Sequence, residues 1–136
     1  MVTQALLRAF LDETNTIAVV GASRNPEKYG HQVYADLKAA GYTVFPVNPN
    51  CDHILGDPCY PDLAHLPATP DVVNLVVPPT VTEEVVKICH ALGVRKVWMQ
   101  PGAESETAIR YCEENGIDVV HSLCVMIERR RESEGA

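Results

Sequence analysis

The apolar run Thr16–Val20 stops at Gly21, and Gly21-Ala22-Ser23-Arg24 is followed within one turn by Lys28. Gly21 and Ala22 are small enough for a phosphate-bearing ligand to reach the backbone, so bulk at Gly21 is expected to meet the ligand. Ser23 offers a hydroxyl. The helix expected from Tyr29 presents free N–H groups and a partial positive charge at its start. Arg24 and Lys28 bring two fixed charges to the same mouth. The whole chain of 136 residues carries a formal net charge of −7, so two cations in one turn stand out. Strand end, small residues, helix start and cations together predict an anion site. The plainer alternative is that Gly21 only makes the turn while both cations are solvated.

The anion is not expected to be a dinucleotide pyrophosphate. The G-x-G-x-x-G fingerprint would need glycines where Ser23 and Pro26 stand, and an acid should end the second strand to hold the ribose of NAD. That strand ends in Val47-Asn48-Pro49, and no arginine lies between Arg24 and Arg95 to read a 2′-phosphate. The P-loop pattern G-x-x-x-x-G-K-[ST] is absent. The five cysteines include no C-x-x-C pair, and the five histidines form no H-E-x-x-H pattern. No metal site is therefore expected, and an odd cysteine count argues against a disulfide framework. So acidic a chain is not expected to bind nucleic acid or an anionic membrane. No apolar run reaches the ~18–20 residues that span a bilayer. The first twelve residues lack the layout of a signal peptide, so a cytoplasmic location is expected.

The elements that must position these groups alternate along the chain. Strands are expected at Thr16–Val20, Tyr42–Val47, Val72–Val77, Lys96–Met99 and Ile117–Val120. Helices are expected at Tyr29–Ala40, at Val81–Leu92 with a Thr80/Glu83 capping box, and at Glu104–Asn115. A further helix is expected at Gln4–Leu11, and a short polar helix or frayed tail after Met126. Gly41, Gly93 and Gly116 each end a helix and lead through an apolar residue into a strand. Strands apolar on both faces belong to a parallel sheet covered on both sides. The reading is one α/β domain, Rossmann-like and doubly wound, with a five-stranded parallel sheet in three layers, α/β/α. Strand order 3-2-1-4-5 is expected. Pro46 is awkward for a central strand. The proline-rich stretch Asn48–Pro70 is a long connection with a short helical turn near Asp62–His65. Cys89, Cys112 and Trp98 are expected in the core, and Arg129-Arg130-Arg131 in a solvated tail.

Ligands of open α/β sheets bind beyond the carboxyl ends of the strands. Four segments should converge there: Gly21–Arg24, Val47-Asn48-Pro49, Val77-Pro78-Pro79 and Met99-Gln100-Pro101-Gly102. Gly21-Ala22-Ser23-Arg24-Asn25-Pro26-Glu27-Lys28-Tyr29-Gly30, Val47-Asn48-Pro49, Ile54-Leu55-Gly56, Tyr60-Pro61-Asp62-Leu63, Val97-Trp98-Met99-Gln100-Pro101-Gly102 and Cys124 with Glu128 resemble the stand-alone CoA-binding domain family. That family is similar to the N-terminal domain of the succinyl-CoA synthetase α subunit. The resemblance is collinear from about Thr16 to Glu128 and makes the chain, residues 1–136, a single CoA-binding domain with its core at about 16–128.

The resemblance implies a small cytoplasmic protein that binds CoA or acyl-CoA without catalysis of its own. Gly21, Ala22, Ser23, Arg24 and Lys28 would cradle phosphates. Asn48 and Pro49 would line the nucleotide side, and Val77, Pro78 and Pro79 would flank the adenosine or the start of the pantetheine arm. Gln100 and Gly102 would close the far wall. The alternative is a detached CoA-binding component of an acyl-CoA ligase or transferase; the chain is not expected to be a whole ligase. A small NAD-dependent oxidoreductase is disfavoured by the missing fingerprint. The state expected is a monomer or weak homodimer, with no protein partner identified. Two departures stand out. Asn50 and Cys51 follow Pro49 where the family often has a lysine, which weakens the case for a 3′-phosphate contact there. Ser122 stands where an aspartate is common. Cys124 is read either as a thiol that meets CoA's own thiol or as a small buried hydrophobe.

Overall fold

The computed structural model describes residues 2–134; Met1 and the last two residues of the expected unit lie outside them. In chain order the elements are α1 (Gln4–Leu11), β1 (Thr16–Val20), α2 (Tyr29–Ala39), β2 (Thr43–Val47), β3 (His53–Ile54) and β4 (Asp57–Pro58). A 3-10 turn at Leu63–His65 follows, then β5 (Val72–Leu75), α3 (Pro79–Leu92), β6 (Lys96–Met99), α4 (Glu106–Glu114), β7 (Asp118–His121) and α5 (Val125–Glu134). β2, β1, β5, β6 and β7 form a five-stranded sheet in that order. All its pairings are parallel.

Strand side chains alternate between two cores, as the period of two requires. Ala18, Val20, Val73, Leu75, Val97 and Met99 pack with α3 and α4. Ile17, Val19, Val72 and Trp98 pack with Phe10, Val33, Leu37 and Val125 from α1, α2 and α5. The three-layer α/β/α architecture is therefore as expected. Cys89, Cys112 and Trp98 are fully buried. Gly41, Gly93 and Gly116 all hold positive φ at helix ends.

The strand order corrects the expectation. Counting the five strands of the main sheet along the chain, the order is 2-1-3-4-5 and not 3-2-1-4-5. The reason lies in Pro46. Its carbonyl points away from β1 and accepts from Tyr60 N at 3.0 Å, while the next carbonyl, Val47, accepts from Gly21 N on the β1 side. A proline whose missing N–H faces outward costs nothing on an edge strand and would break the ladder of a central one. The long connection then crosses to the other side of β1, carrying the β3–β4 hairpin. That hairpin turns through Leu55 and Gly56, both at positive φ.

Two local expectations fail for identifiable reasons. Thr80 and Glu83 make no capping box. Pro79 takes the first position of α3, where its missing N–H is harmless, and Glu83 instead accepts from Ser105 Oγ at 2.5 Å. Arg130 and Arg131 are exposed as expected of a solvated run, but Arg129 is not. Arg129 forms a fork with Asp36, Nε to Oδ2 at 2.9 Å and Nη2 to Oδ1 at 3.0 Å, and so ties α5 to α2. Arg130 reaches the same carboxylate, and Arg131 pairs with Glu128.

The register sets the carboxyl ends of four strands level: Val20 lies beside Val47 and Leu75, and Leu75 beside Met99. Two glycines lock that edge. A Cβ on Gly21 would lie 2.0 Å from the Val76 carbonyl oxygen, and a Cβ on Gly30 would lie 2.0 Å from the Gly21 carbonyl oxygen. Bulk at Gly21 therefore meets the chain's own backbone at Val76. Gly30→Ala should cost roughly 3 kcal/mol or more, since rigid backbone must move to admit one methyl. Gly41→Ala, with open space at its Cβ, should cost only the left-handed strain of about 1–2 kcal/mol. Urea titration of both variants checks the difference.

Candidate functional site

The sheet's turning point lies between β1 and β5, where the chain goes one way to β2 and the other way to β5. The residues after these two strands meet there. Gly21, at φ +96°, brings its backbone against Val76. The loop that follows is folded by its own side chains before any ligand arrives. Ser23 Oγ accepts from Asn25 N at 3.1 Å, and Asn25 Oδ1 accepts from Glu27 N at 3.0 Å. His31 Nδ1 lies 2.8 Å from the Ser23 carbonyl. Ala22 is fully buried, and its carbonyl accepts from Asn48 Nδ2 at 2.7 Å.

The helix behind this loop starts uncapped. Lys28 occupies the N-cap of α2 and makes no side-chain cap bond, so the first N–H groups of the helix have no side-chain acceptor there. Arg24 and Lys28 are exposed, and among the described residues neither joins a salt bridge. The mouth therefore offers unpaired positive charge on a preformed loop.

Beside the mouth lies a cavity of about 290 Å³. Gly21 and Val77 form its floor, Asn48 and Pro49 one wall, and Val81, Val85 and Ile88 of α3 the other. Pro61, Asp62 and Leu63 close the far side. Asp62 caps the 3-10 turn through His65 N at 3.1 Å, and the His65 ring beside it holds its carboxyl below the usual range. A second hollow of about 280 Å³ shares Val77 and continues past Val76 and Pro78 to Tyr29, Pro101 and Gly102. The two hollows share Val77 and run as an apolar groove along the strand ends, and Arg24 and Lys28 lie on the neighbouring loop, outside both linings.

Of the residues singled out from sequence, Gly21, Asn48, Pro49 and Val77 line the first hollow, and Val77, Pro78 and Gly102 the second. Ala22 is buried, Ser23, Arg24 and Lys28 lie on the loop before α2 and line neither hollow, and Pro79 starts α3. Gln100 is placed differently from a wall residue. It is fully buried, its Nε2 donates to Asn74 Oδ1 at 2.6 Å, and its Oε1 accepts from Val125 N at 3.0 Å and Tyr29 OH at 3.3 Å. It braces β5, α2 and α5 beneath the groove. The Gly102 N–H is taken by Glu104 Oε1 at 2.7 Å. Cys124 is only half-buried: its Sγ accepts from Tyr29 OH at 2.9 Å. Burial, and next the Cys124 bond, push the Tyr29 phenol well above its ordinary value.

Sequence reasoning missed Tyr29 and the α3 wall. Val81, Val85 and Ile88 carry the i, i+4, i+7 spacing of a core stripe. Val85 does belong to the core; the signal that sets Ile88 apart from it is in the fold, where Ile88 stays 42% exposed.

The far wall hangs on the β3–β4 hairpin, which α2 holds: Asp57 accepts from Tyr34 OH and from Lys38 Nζ, the latter at 2.6 Å.

The fold is a doubly wound α/β domain with an apolar groove along the carboxyl ends of its strands. The chain belongs to the CoA binding domain family, whose sequence model matches residues 15–130. It is 30% identical to YneT of Bacillus subtilis over 92% of this chain and 93% of that protein. It is also 37% identical to ADP-forming acetate–CoA ligase I of Archaeoglobus fulgidus over 80% of this chain, but spans only 17% of that enzyme. A solved hypothetical protein from Pyrococcus horikoshii superposes with a TM-score of 0.91 at 35% identity, covering 96% of this chain and 92% of that one. An acetyl-coenzyme A synthetase from Candidatus Korarchaeum cryptofilum shares the fold at a TM-score of 0.70 and 32% identity, over 84% of this chain and 27% of that one. Among the described residues no helix is long and apolar enough to cross a membrane.

Two predictions follow from the braces around the groove. Gln100→Leu leaves the buried Asn74 amide oxygen and the Val125 N–H unpaired, and should cost about 2–4 kcal/mol by urea titration, at ~1–3 kcal/mol for each buried group left alone. Lys38, and then Tyr34, hold the Asp57 carboxyl below the usual range through hydrogen bonds. The stability from this tie is fully present above the unfolded carboxylate value of about 3.9 and is lost as pH falls through the lower folded value. Asp57→Asn should therefore flatten part of the acid limb of the stability curve, by a small amount because the carboxylate is partly solvated.

Proposed function

We propose that the protein binds CoA or an acyl-CoA along this groove. The phosphates lie against Gly21, Ala22, Ser23, Arg24 and Lys28, at the uncapped start of α2. The nucleotide occupies the hollow between Asn48–Pro49 and α3. The pantetheine arm runs over Val77, Pro78 and Pro79 toward Gly102, with Gln100 bracing that wall from below. The observation that carries this reading is the coincidence of two unpaired cations, a helix start without a side-chain cap, and an apolar hollow at the turning point of the sheet. Membership in the CoA binding domain family supports CoA as that anion.

The protein's role on this reading is to carry, sense or present CoA without chemistry of its own. A second reading, a detached CoA-binding component that serves an acyl-CoA ligase, draws on the likeness to the Archaeoglobus ligase. Turnover of ATP, an acid and CoA on adding a candidate partner subunit would favour that second reading.

A charged hydrogen bond to phosphate is worth ~1.5–3 kcal/mol, less where solvent screens it. Arg24→Ala should weaken CoA binding about 10- to 100-fold, and Lys28→Ala less, since its ammonium is a mobile point charge. Calorimetric titration at two salt concentrations reads both, and unchanged affinity in both variants would place the phosphates elsewhere. Because Asn50 and Cys51 replace a lysine after Pro49, dephospho-CoA should bind nearly as well as CoA in the same titration.

A further inference from the structure

Two of the five cysteines stand at the base of one hairpin. Cys51 lies two residues before β3 and Cys59 directly after β4. The ladder pairs His53 with Pro58 and Ile54 with Asp57, and Cys59 N donates to Asp52 O at 2.7 Å. The chain therefore draws together where the two cysteines sit. Cys51 curls back so that its Sγ donates to His53 O at 3.1 Å. The Cys59 thiol points to the Asn48 carbonyl at 3.7 Å. Both are half-buried against the same apolar cluster, within reach of a small molecule. Burial, and after it the neighbouring Cys51 thiol, push the Cys59 thiol up to about 11.

The remaining cysteines are placed otherwise. Cys89 and Cys112 are fully buried, and burial raises both thiols, to about 12 and about 11. Cys124 accepts the Tyr29 hydroxyl at 2.9 Å, on a different element.

We propose that Cys51 and Cys59 form a reversible disulfide across the base of the β3–β4 hairpin by exchange with a low-molecular-weight disulfide. The Cys51 thiolate attacks one sulfur of the small disulfide RSSR. A mixed disulfide forms, and RS⁻ leaves and takes up the proton that Cys51 gave to water. Cys59 then loses its proton and attacks the Cys51 sulfur, and the second RS⁻ leaves as RSH. Two protein S–H bonds and one S–S bond become one protein S–S bond and two small thiols. The two electrons given up by the cysteines reduce RSSR. Cys51 attacks first because its Sγ is the more exposed of the two, and Cys59, behind it at the hairpin base, resolves the mixed disulfide. The bond closes the chain into a ring on the segment that supplies Asn48, Pro49, Pro61 and Leu63 to the groove, and removes the S–H that faces the Asn48 carbonyl. The redox state of the pair therefore sets how firmly that wall is held. This inference is independent of the ligand assigned to the groove.

The test is incubation of the folded protein with oxidised glutathione, followed by acid quench and peptide mapping by mass spectrometry. The expected product is a Cys51–Cys59 link with no glutathione retained, reversed by dithiothreitol. Cys59→Ser should instead accumulate glutathione on Cys51, because nothing is left to resolve the mixed disulfide. The oxidised wild type should melt above the reduced protein, and Cys51→Ser should show no such shift. Glutathione that stays on Cys51 of the wild type would overturn the proposal. So would a link that forms only in urea, one that joins Cys89 to Cys112 instead, or a failure of Cys51 and Cys59 to react at all.

Discussion

Everything at the ligand edge depends on a close approach of three backbones. Gly21 lies so near Val76, and Gly30 so near Gly21, that neither glycine has room for a methyl group. The contact brings the end of β1, the end of β5 and the first turn of α2 to one point. A larger residue at Gly30 would push α2 off the end of β1, and one at Gly21 would press the ends of β1 and β5 apart. The anion mouth and the apolar hollow share Gly21, so both are set by the same approach. The site is thus a consequence of how tightly one helix can lie on one strand.

Buried polar bonds do the remaining positioning. Gln100 ties Asn74 of β5 to Tyr29 of α2 and to the start of α5. Asn48 reaches Ala22 from the other side, while its own N–H donates to Tyr60 O at 2.9 Å. These groups lie in low-dielectric surroundings, where a satisfied bond is rigid and an unsatisfied one is costly. The first loop is therefore held from both flanks before a ligand is present. Such preorganisation lowers the ordering cost of binding. The charged side chains that would meet phosphate, Arg24 and Lys28, are left exposed and unpaired at the edge of this rigid frame.

Much of this was legible in the residues. Apolar runs ended by glycine gave the strands and helix ends, and the strand ends gave the four converging segments. The strand order was not legible as a pattern, yet Pro46 held the clue: a residue without an N–H belongs at an edge. The two-glycine contact was half visible. The small size of Gly21 marks a close approach, but its neighbour, Val76, is 55 residues away in sequence and follows from topology alone. The α3 wall was hidden because a lining stripe and a core stripe share one periodicity. Gln100 was found as a residue of the right segment, but its inward direction depends on partners from three other elements. Arg129 looked like part of a solvated charge run, because nothing local marks Asp36 as its partner.

The central claim is that CoA lies across the strand ends with its phosphates at the start of α2. The most direct measurement is a titration of isotope-labelled protein with CoA, followed by backbone amide resonances. The account predicts the largest shifts at Gly21, Ser23, Arg24, Tyr29, Gly30, Asn48 and Val77, with little change at the opposite edge, at Asp71 and Arg95. Shifts confined to that opposite edge, or none at saturating CoA, would contradict it.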